Sequence, residues 1–253
     1  TSLFRIPEDK FAFIGSAGKK KDLDDYSSNI NLAVDINSLK EENNLDVEEI
    51  NDFIKNQFKR INLQCEINED VILIKWHING DDKLNEYVEV LLQLTDSLEW
   101  IKFSRYSPNL NENESEYVGK YREAVFKAIS KTIKKDIVSY FDTNENVKEF
   151  EVYYYDSNLG LGVATKTFEG KNGILKKSLL LEKSKRILTK DPKEVVNVLF
   201  GESFAPDDVN TFEKCLEAIK SKDFQYPKKR DSIMKKIKKE IVEFRLEIPE
   251  SLM

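Results

Sequence analysis

The stretch EFEVYYYDSNLGLGVATKTF, at residues 149–168, predicts two antiparallel strands joined by a short turn. Aromatic and β-branched residues dominate 149–156 and 161–168, and the Asp-Ser-Asn-Leu-Gly segment between them is typical of a hairpin loop. A further apolar run at 174–182 follows a second glycine-containing loop at 170–173. We therefore expect a three-stranded antiparallel meander.

Helical patterns lie on both sides of this meander. Before it, apolar residues at helical spacing predict one long helix over about 114–141. After it, Asp191, Pro192 and Glu194 supply an N-cap acid, a first-turn proline and a capping-box glutamate, and Gly201 ends this helix. Two further C-terminal helices are expected at 206–219 and 228–244.

The first hundred residues predict a ββαββα unit. Alternating or continuous apolar residues indicate four strands, and apolar residues three and four positions apart indicate two helices. In chain order, the six elements are expected at residues 11–14, 29–36, 45–61, 62–68, 71–78 and 81–103.

These patterns predict the α+β fold class. A division of the chain into two lobes is one interpretation of them. Pro108 and a cluster of Asn, Glu and Ser interrupt both periodicities near 104–113, which is the candidate linker. Residues 1–103 then form an acidic α+β lobe, and 114–253 form a mixed lobe with the meander and a helical C-terminus. One continuous domain is the alternative, because 253 residues suit either count.

Composition excludes several classes of site. Two cysteines and one histidine cannot supply a zinc cluster or a disulfide framework, so no metal or cofactor is expected. The low cysteine content also predicts that the protein occupies a reducing compartment. No apolar run approaches a membrane span and no signal peptide is evident, so we expect a cytoplasmic protein without a membrane partner. Richness in Asn, Lys and Ile suggests a bacterial or phage source.

The two cysteines are interpreted as packing residues. Cys65 shares a predicted strand face with Leu63 and Ile67, which indicates a core position. Cys215 lies beside the apolar stripe of the 206–219 helix, which indicates a half-buried position.

A first candidate site lies in GSAGKKKDLDDYSSNINLAVDI, at residues 15–36. Gly15-Ser16, a spacer and the polar-x-polar pattern Asn29-Ile-Asn31 resemble the motif of the polymerase-β-like nucleotidyltransferases. Those enzymes carry Asp-x-Asp on this strand and a third acid on a later strand, because two Mg²⁺ ions need carboxylate oxygens.

Here amides replace both aspartates, and the later strand at 71–78 contains no acid. The resemblance therefore implies a catalytically inactive relative that keeps the fold for binding, with Gly15, Ser16 and Asp35 as the remaining site residues. An ordinary hairpin with a polar face is the alternative interpretation.

A second candidate is Asp156 followed by Glu169-Gly-Lys171, an order that resembles the PD-(D/E)xK nucleases. The resemblance implies that the two acids hold Mg²⁺ and that the lysine orients the attacking water. The alternative interpretation is that these charged residues belong to ordinary hairpin turns and have no catalytic role.

The third candidate is a basic and aromatic surface. Tyr153, Tyr154 and Tyr155 crowd one strand, and sheets with tyrosines beside lysines can stack bases and neutralise phosphates. We expect Tyr154 to point inward with Phe150 and Val152. The candidate nucleic-acid-binding residues are Lys176, Lys177, Lys185, Arg186, Lys235, Lys236, Lys238 and Lys239.

The sequence favours a binding protein over an enzyme, with nucleic acid or another protein as partner. Residues 101–200 carry 18 Lys and Arg against 14 Asp and Glu, whereas residues 1–100 carry 11 against 21. The basic part favours nucleic-acid contact, and the acidic part favours a protein-interaction module or inhibitor. A degenerate nucleotidyltransferase-fold protein and a Mg²⁺-dependent nuclease remain the enzymatic alternatives.

Overall fold

The computed structural model divides the chain into two compact units, residues 1–109 and 110–253. It describes residues 2–15, 29–68, 71–77, 87–106, 115, 117–133, 147–171 and 174–252. The backbone alone is described at 29, 76–77, 87, 147–150, 166–171 and 174–183.

The first unit contains a five-stranded mixed sheet with the strand order β1-β2-β5-β4-β3. β2 and β5 are parallel, and the other neighbouring pairs are antiparallel, including the expected β1–β2 hairpin. The strands are β1 (Phe11–Phe13), β2 (Asn29–Asp35), β3 (Cys65–Asn68), β4 (Val71–His77) and β5 (Tyr87–Thr95).

Three helices accompany this sheet: α1 (Ile36–Asn43), α2 (Ile50–Arg60) and α3 (Leu98–Ser104). The core contains Leu39 of α1 and Ile54 of α2, both fully buried, together with the apolar side chains of one sheet face. A capping box precedes α2, in which the Glu49 carboxylate accepts from the N–H of Asp46 at 2.9 Å. The apolar stripe of α2, which includes the buried residues Ile50, Ile54 and Phe58, belongs to this core, as its amphipathic spacing predicts.

The helix expected over 81–103 is wrong at residues 87–95, where the chain forms β5. This strand lies between β2 and β4, so both of its edges are hydrogen-bonded to neighbouring strands, and its residues Val90, Leu92 and Leu94 pack in or against the core. Val88, Leu91 and Leu92 therefore satisfy helical spacing by coincidence, since a buried strand and a buried helix share this pattern. Residues 81–86 lie outside the described residues.

The second unit contains the expected antiparallel meander, with strand order β6-β7-β8. The strands are β6 (Val147–Asp156), β7 (Gly160–Lys171) and β8 (Ile174–Thr189). The Asp156 carboxylate accepts hydrogen bonds from the backbone N–H groups of Asn158 and Leu159, at 2.8 and 3.0 Å. Gly160 completes the turn with φ +112°, a conformation that strongly favours glycine.

Four α-helices are described in this unit: α4 (Gly119–Ser130), α5 (Pro192–Leu199), α6 (Phe212–Lys220) and α7 (Arg230–Glu243). The predicted N-cap of α5 is confirmed, because Asp191 accepts from the N–H groups of Lys193 and Glu194. The 206–219 segment begins instead as a 3-10 turn, and Thr211 caps α6. α4 ends at Ser130, and residues 134–141 of the long helix expected there lie outside the described residues.

The core of the second unit surrounds α4. Phe126 is fully buried, and its ring lies 5.1 Å from Tyr155 of β6 and 5.3 Å from Phe200 after α5. α7 packs along α4 with Ile233, Ile237 and Ile241 buried. The sheet and the C-terminal helices thus share one core with α4 at its centre.

The α+β fold class is confirmed, with one sheet in each unit. Among the described residues, no helix has the length and apolar character needed to cross a bilayer.

The Asp191 cap provides a test of the fold. We expect Asp191→Ala to lower the free energy of unfolding by about 1 kcal/mol, because the substitution leaves N–H groups of the first turn of α5 without their acceptor. Asp191→Asn keeps an acceptor and should cost less. Urea denaturation measures both, with Lys193→Ala at an exposed position of the same helical turn as the control. Equal stability of Asp191→Ala and Lys193→Ala would contradict the cap.

Candidate functional site

In the nucleotidyltransferase-like candidate, Gly15 and Asp35 form hydrogen bonds that stabilise the local backbone. Gly15 has φ +61°, and its N–H donates to the carbonyl of Arg105 at 3.1 Å. The Asp35 carboxylate accepts from the N–H of Asn37 at 2.8 Å and caps α1. Ser16 lies outside the described residues. Among the residues the structure describes, no group of three potential metal ligands occurs.

The residues of the nuclease-like candidate are separated along the meander. Asp156 pairs in register with Gly160 at one end of β6, whereas Glu169 pairs with Val147 at the other end. Nine residue steps along β6, or about 30 Å, separate these two ends. Lys171 pairs with Ile174 in the next hairpin. The structure therefore does not bring the two acids together, and Asp156 instead holds its own turn.

Lysines and tyrosines converge on a groove of about 340 Å³ in the second unit. Lys131 comes from the end of α4, Lys185 from β8 and Lys236 from α7, while β6 supplies Tyr153 and Tyr154. The small side chains of Val152 and Ala164 complete the lining. We call this feature the Lys–Tyr groove.

The three lysines of the Lys–Tyr groove differ in their partners. Lys131 donates to both carboxylate oxygens of Glu240, at 2.8 and 2.7 Å, and Glu240 is only 3% exposed. The charge of Lys131 is therefore largely compensated. Lys185 lies 5.8 Å from the centre of the Tyr154 ring, a cation–π contact. Lys236 is partly exposed and forms no ion pair with any residue that the structure describes.

The tyrosines have different environments from those expected. Tyr155, rather than Tyr154, is the buried member, with 5% exposure and a ring contact to Phe126. Tyr154 is partly exposed and lies across Gly162 on the neighbouring strand. The expectation that Tyr154 points into the core is therefore wrong, because successive strand residues face opposite sides and the packing against α4 selects Tyr155.

The structure brings only part of the predicted lysine set together. Lys185 and Lys236 line the groove, whereas Arg186 follows Lys185 in the strand and so faces the opposite side of the sheet. There Arg186 pairs with Glu151 at 3.3 Å. Lys176 and Lys177 belong to β8, and their side chains lie outside the described part of the structure.

The four lysines of α7 lie around the helix rather than on one face. Lys239 follows Lys236 by three residues and pairs with Glu243 at 3.5 Å. Lys238 is rotated by about 200° from Lys236, since one turn takes 3.6 residues. The two therefore occupy opposite edges of the buried isoleucine stripe, and Lys235 lies on the exposed outer surface.

Lys131 is the groove residue that the sequence did not indicate. More than a hundred positions separate it from Lys236 and Glu240. Only the packing of α4 against α7 brings these residues together, and no local pattern in the sequence reports a contact of that kind.

The two cysteines lie in different environments. Cys215 is fully buried rather than half-buried, its thiol donates to the carbonyl of Val209 at 3.3 Å, and burial raises its pKa to about 12. Cys65 packs against the core of the first unit together with Leu63 and Ile67, as expected, although it is only partly buried, and burial raises the pKa of its thiol above the usual value. Neither thiol has the lowered pKa of a nucleophilic cysteine.

Comparisons with known proteins identify no relative of this chain. No family model, curated protein or solved structure matches the chain. The two sequence resemblances therefore depend on their short motifs alone.

Thiol labelling tests the two cysteine environments. We expect Ellman's reagent to modify only Cys65 in the native protein, at a rate that rises with pH as the thiolate forms, because Cys215 is inaccessible and its pKa is about 12. Cys215 should react only after unfolding. A Cys65→Ser variant should show no native reaction, and two native thiols reacting at equal rates would contradict these environments.

Proposed function

We propose that the protein binds nucleic acid through the Lys–Tyr groove and acts as a binding protein rather than an enzyme. The observation that carries this proposal is the convergence of Lys185 and Lys236, from β8 and α7, on a groove that Tyr154 also lines. Ammonium groups attract phosphates, and aromatic rings provide surfaces for bases. A cytoplasmic setting belongs to the proposal, and the two free cysteines support it.

The electrostatics of the groove favour a polyanion. Lys236 brings a charge that has no ion-pair partner among the residues that the structure describes, and the ammonium group of Lys185 lies 5.8 Å from the centre of the Tyr154 ring. Lys131 adds a third ammonium group, although Glu240 compensates it. Phosphates bound here release counterions, so the affinity should fall steeply as salt increases.

Charge reversal provides a matched test of the groove. We expect Lys185→Glu and Lys236→Glu each to weaken oligonucleotide binding about tenfold, and to reduce the slope of log affinity against log salt by about 1. Fluorescence anisotropy at several salt concentrations measures both quantities.

Lys238→Glu is the control, because it changes the net charge equally from the opposite edge of the same helix. An equal loss in Lys238→Glu would show that total charge, rather than the groove, governs binding. Unchanged binding in both groove variants would contradict the proposal.

Glu240→Gln tests whether an added net positive charge in the groove increases its affinity for oligonucleotides. The substitution removes the negative charge that compensates Lys131 while keeping one oxygen acceptor. We expect tighter oligonucleotide binding at low salt together with lower thermal stability, because a buried charge pair is broken. Lys239→Gln, which removes a charge from the exposed pair with Glu243, should not tighten binding. Weaker binding by Glu240→Gln at temperatures where it remains folded would contradict a role for Lys131 in the groove.

A further inference from the structure

Gly162 determines how the Tyr154 ring lies on the meander. The two residues are directly paired on β6 and β7. A Cβ atom added to Gly162 would lie 2.4 Å from Cζ and 2.6 Å from Cε1 of Tyr154, closer than carbon atoms approach. The ring therefore covers the glycine, in space that any other residue would fill.

Tyr154 is partly exposed and lines the groove. The ammonium group of Lys185 lies 5.8 Å from the ring centre, and Ala164 and Val152 add little bulk to the groove. A flexible lysine stem can move aside while its ammonium stays within reach of a nearby phosphate. The groove thus combines an aromatic surface that rests on Gly162 with a neighbouring cation.

We infer that the Lys–Tyr groove selects single-stranded nucleic acid by stacking one unpaired base on Tyr154. This inference rests on the proposed function and names its substrate class. Bases in a duplex already stack on both faces, so a duplex can offer only its phosphates to Lys185 and Lys236. A single strand can offer a base and its phosphates together.

Stacking and charge make separable contributions. Tyr154 contributes a ring surface without charge, so its removal lowers affinity without changing the salt dependence. The lysines change the salt dependence and act on single strands and duplexes alike. The phenolic hydroxyl is not needed for stacking, because every base meets the ring through its π face.

The test uses the full chain with a short oligonucleotide that contains 2-aminopurine, alone and annealed to its complement. We expect the single strand to bind at least about tenfold more tightly than the duplex. Stacking on the ring should also quench the 2-aminopurine fluorescence of the single strand. This quenching is measured in the unsubstituted protein, so the result does not depend on the folding of a variant.

Two substitutions then locate the stacking surface. Tyr154→Phe should keep affinity and quenching, whereas Tyr154→Leu should lose quenching and about tenfold in single-strand affinity with the salt slope unchanged. Thermal melting establishes that each variant is folded.

The outcomes distinguish the two proposals. Equal affinity for single strand and duplex, with loss of both in Lys236→Glu, would overturn the single-strand inference and leave the proposed function standing. Unchanged quenching in a folded Tyr154→Leu would also overturn the inference. No binding of either oligonucleotide at low salt would overturn the proposed function itself.

Discussion

The packing of Phe126 is the constraint on which the larger unit depends. Its fully buried ring contacts Tyr155 of the sheet and Phe200 beside the C-terminal helices, and the Arg122 guanidinium lies 4.5 Å above it. One side chain thus joins three parts of the core. Because Tyr155 is held inward by this contact, the preceding residue, Tyr154, is presented on the other face of its strand. The orientation of the groove therefore follows from core packing.

The pair formed by Lys131 and Glu240 adds a polar connection between α4 and α7. Glu240 is almost completely buried, and both of its oxygens accept from Lys131. A buried carboxylate requires such a partner, because its desolvation is otherwise uncompensated. Lys236 precedes Glu240 by one helical turn and so lies on the same side of α7. The ion pair thereby helps to position a lysine of the groove.

The parts of the fold that depend on local chemistry could be predicted from the sequence. The turn at Asp156 and the cap at Asp191 form within a few residues, and both follow their sequence patterns. β5 could not be predicted, because its place between β2 and β4 depends on residues far away in the chain. The groove shows the same limit. Lys185 and Lys236 were identified as candidates, whereas their meeting with Lys131 depends on helix packing.

Photocrosslinking would test most directly whether nucleic acid occupies this groove. A single-stranded oligonucleotide with photoreactive bases would be irradiated with the full chain, and the crosslinked peptides identified by mass spectrometry. We expect crosslinks to Tyr154, which lines the groove. Crosslinks confined to other parts of the chain, or none at saturating protein, would contradict this expectation.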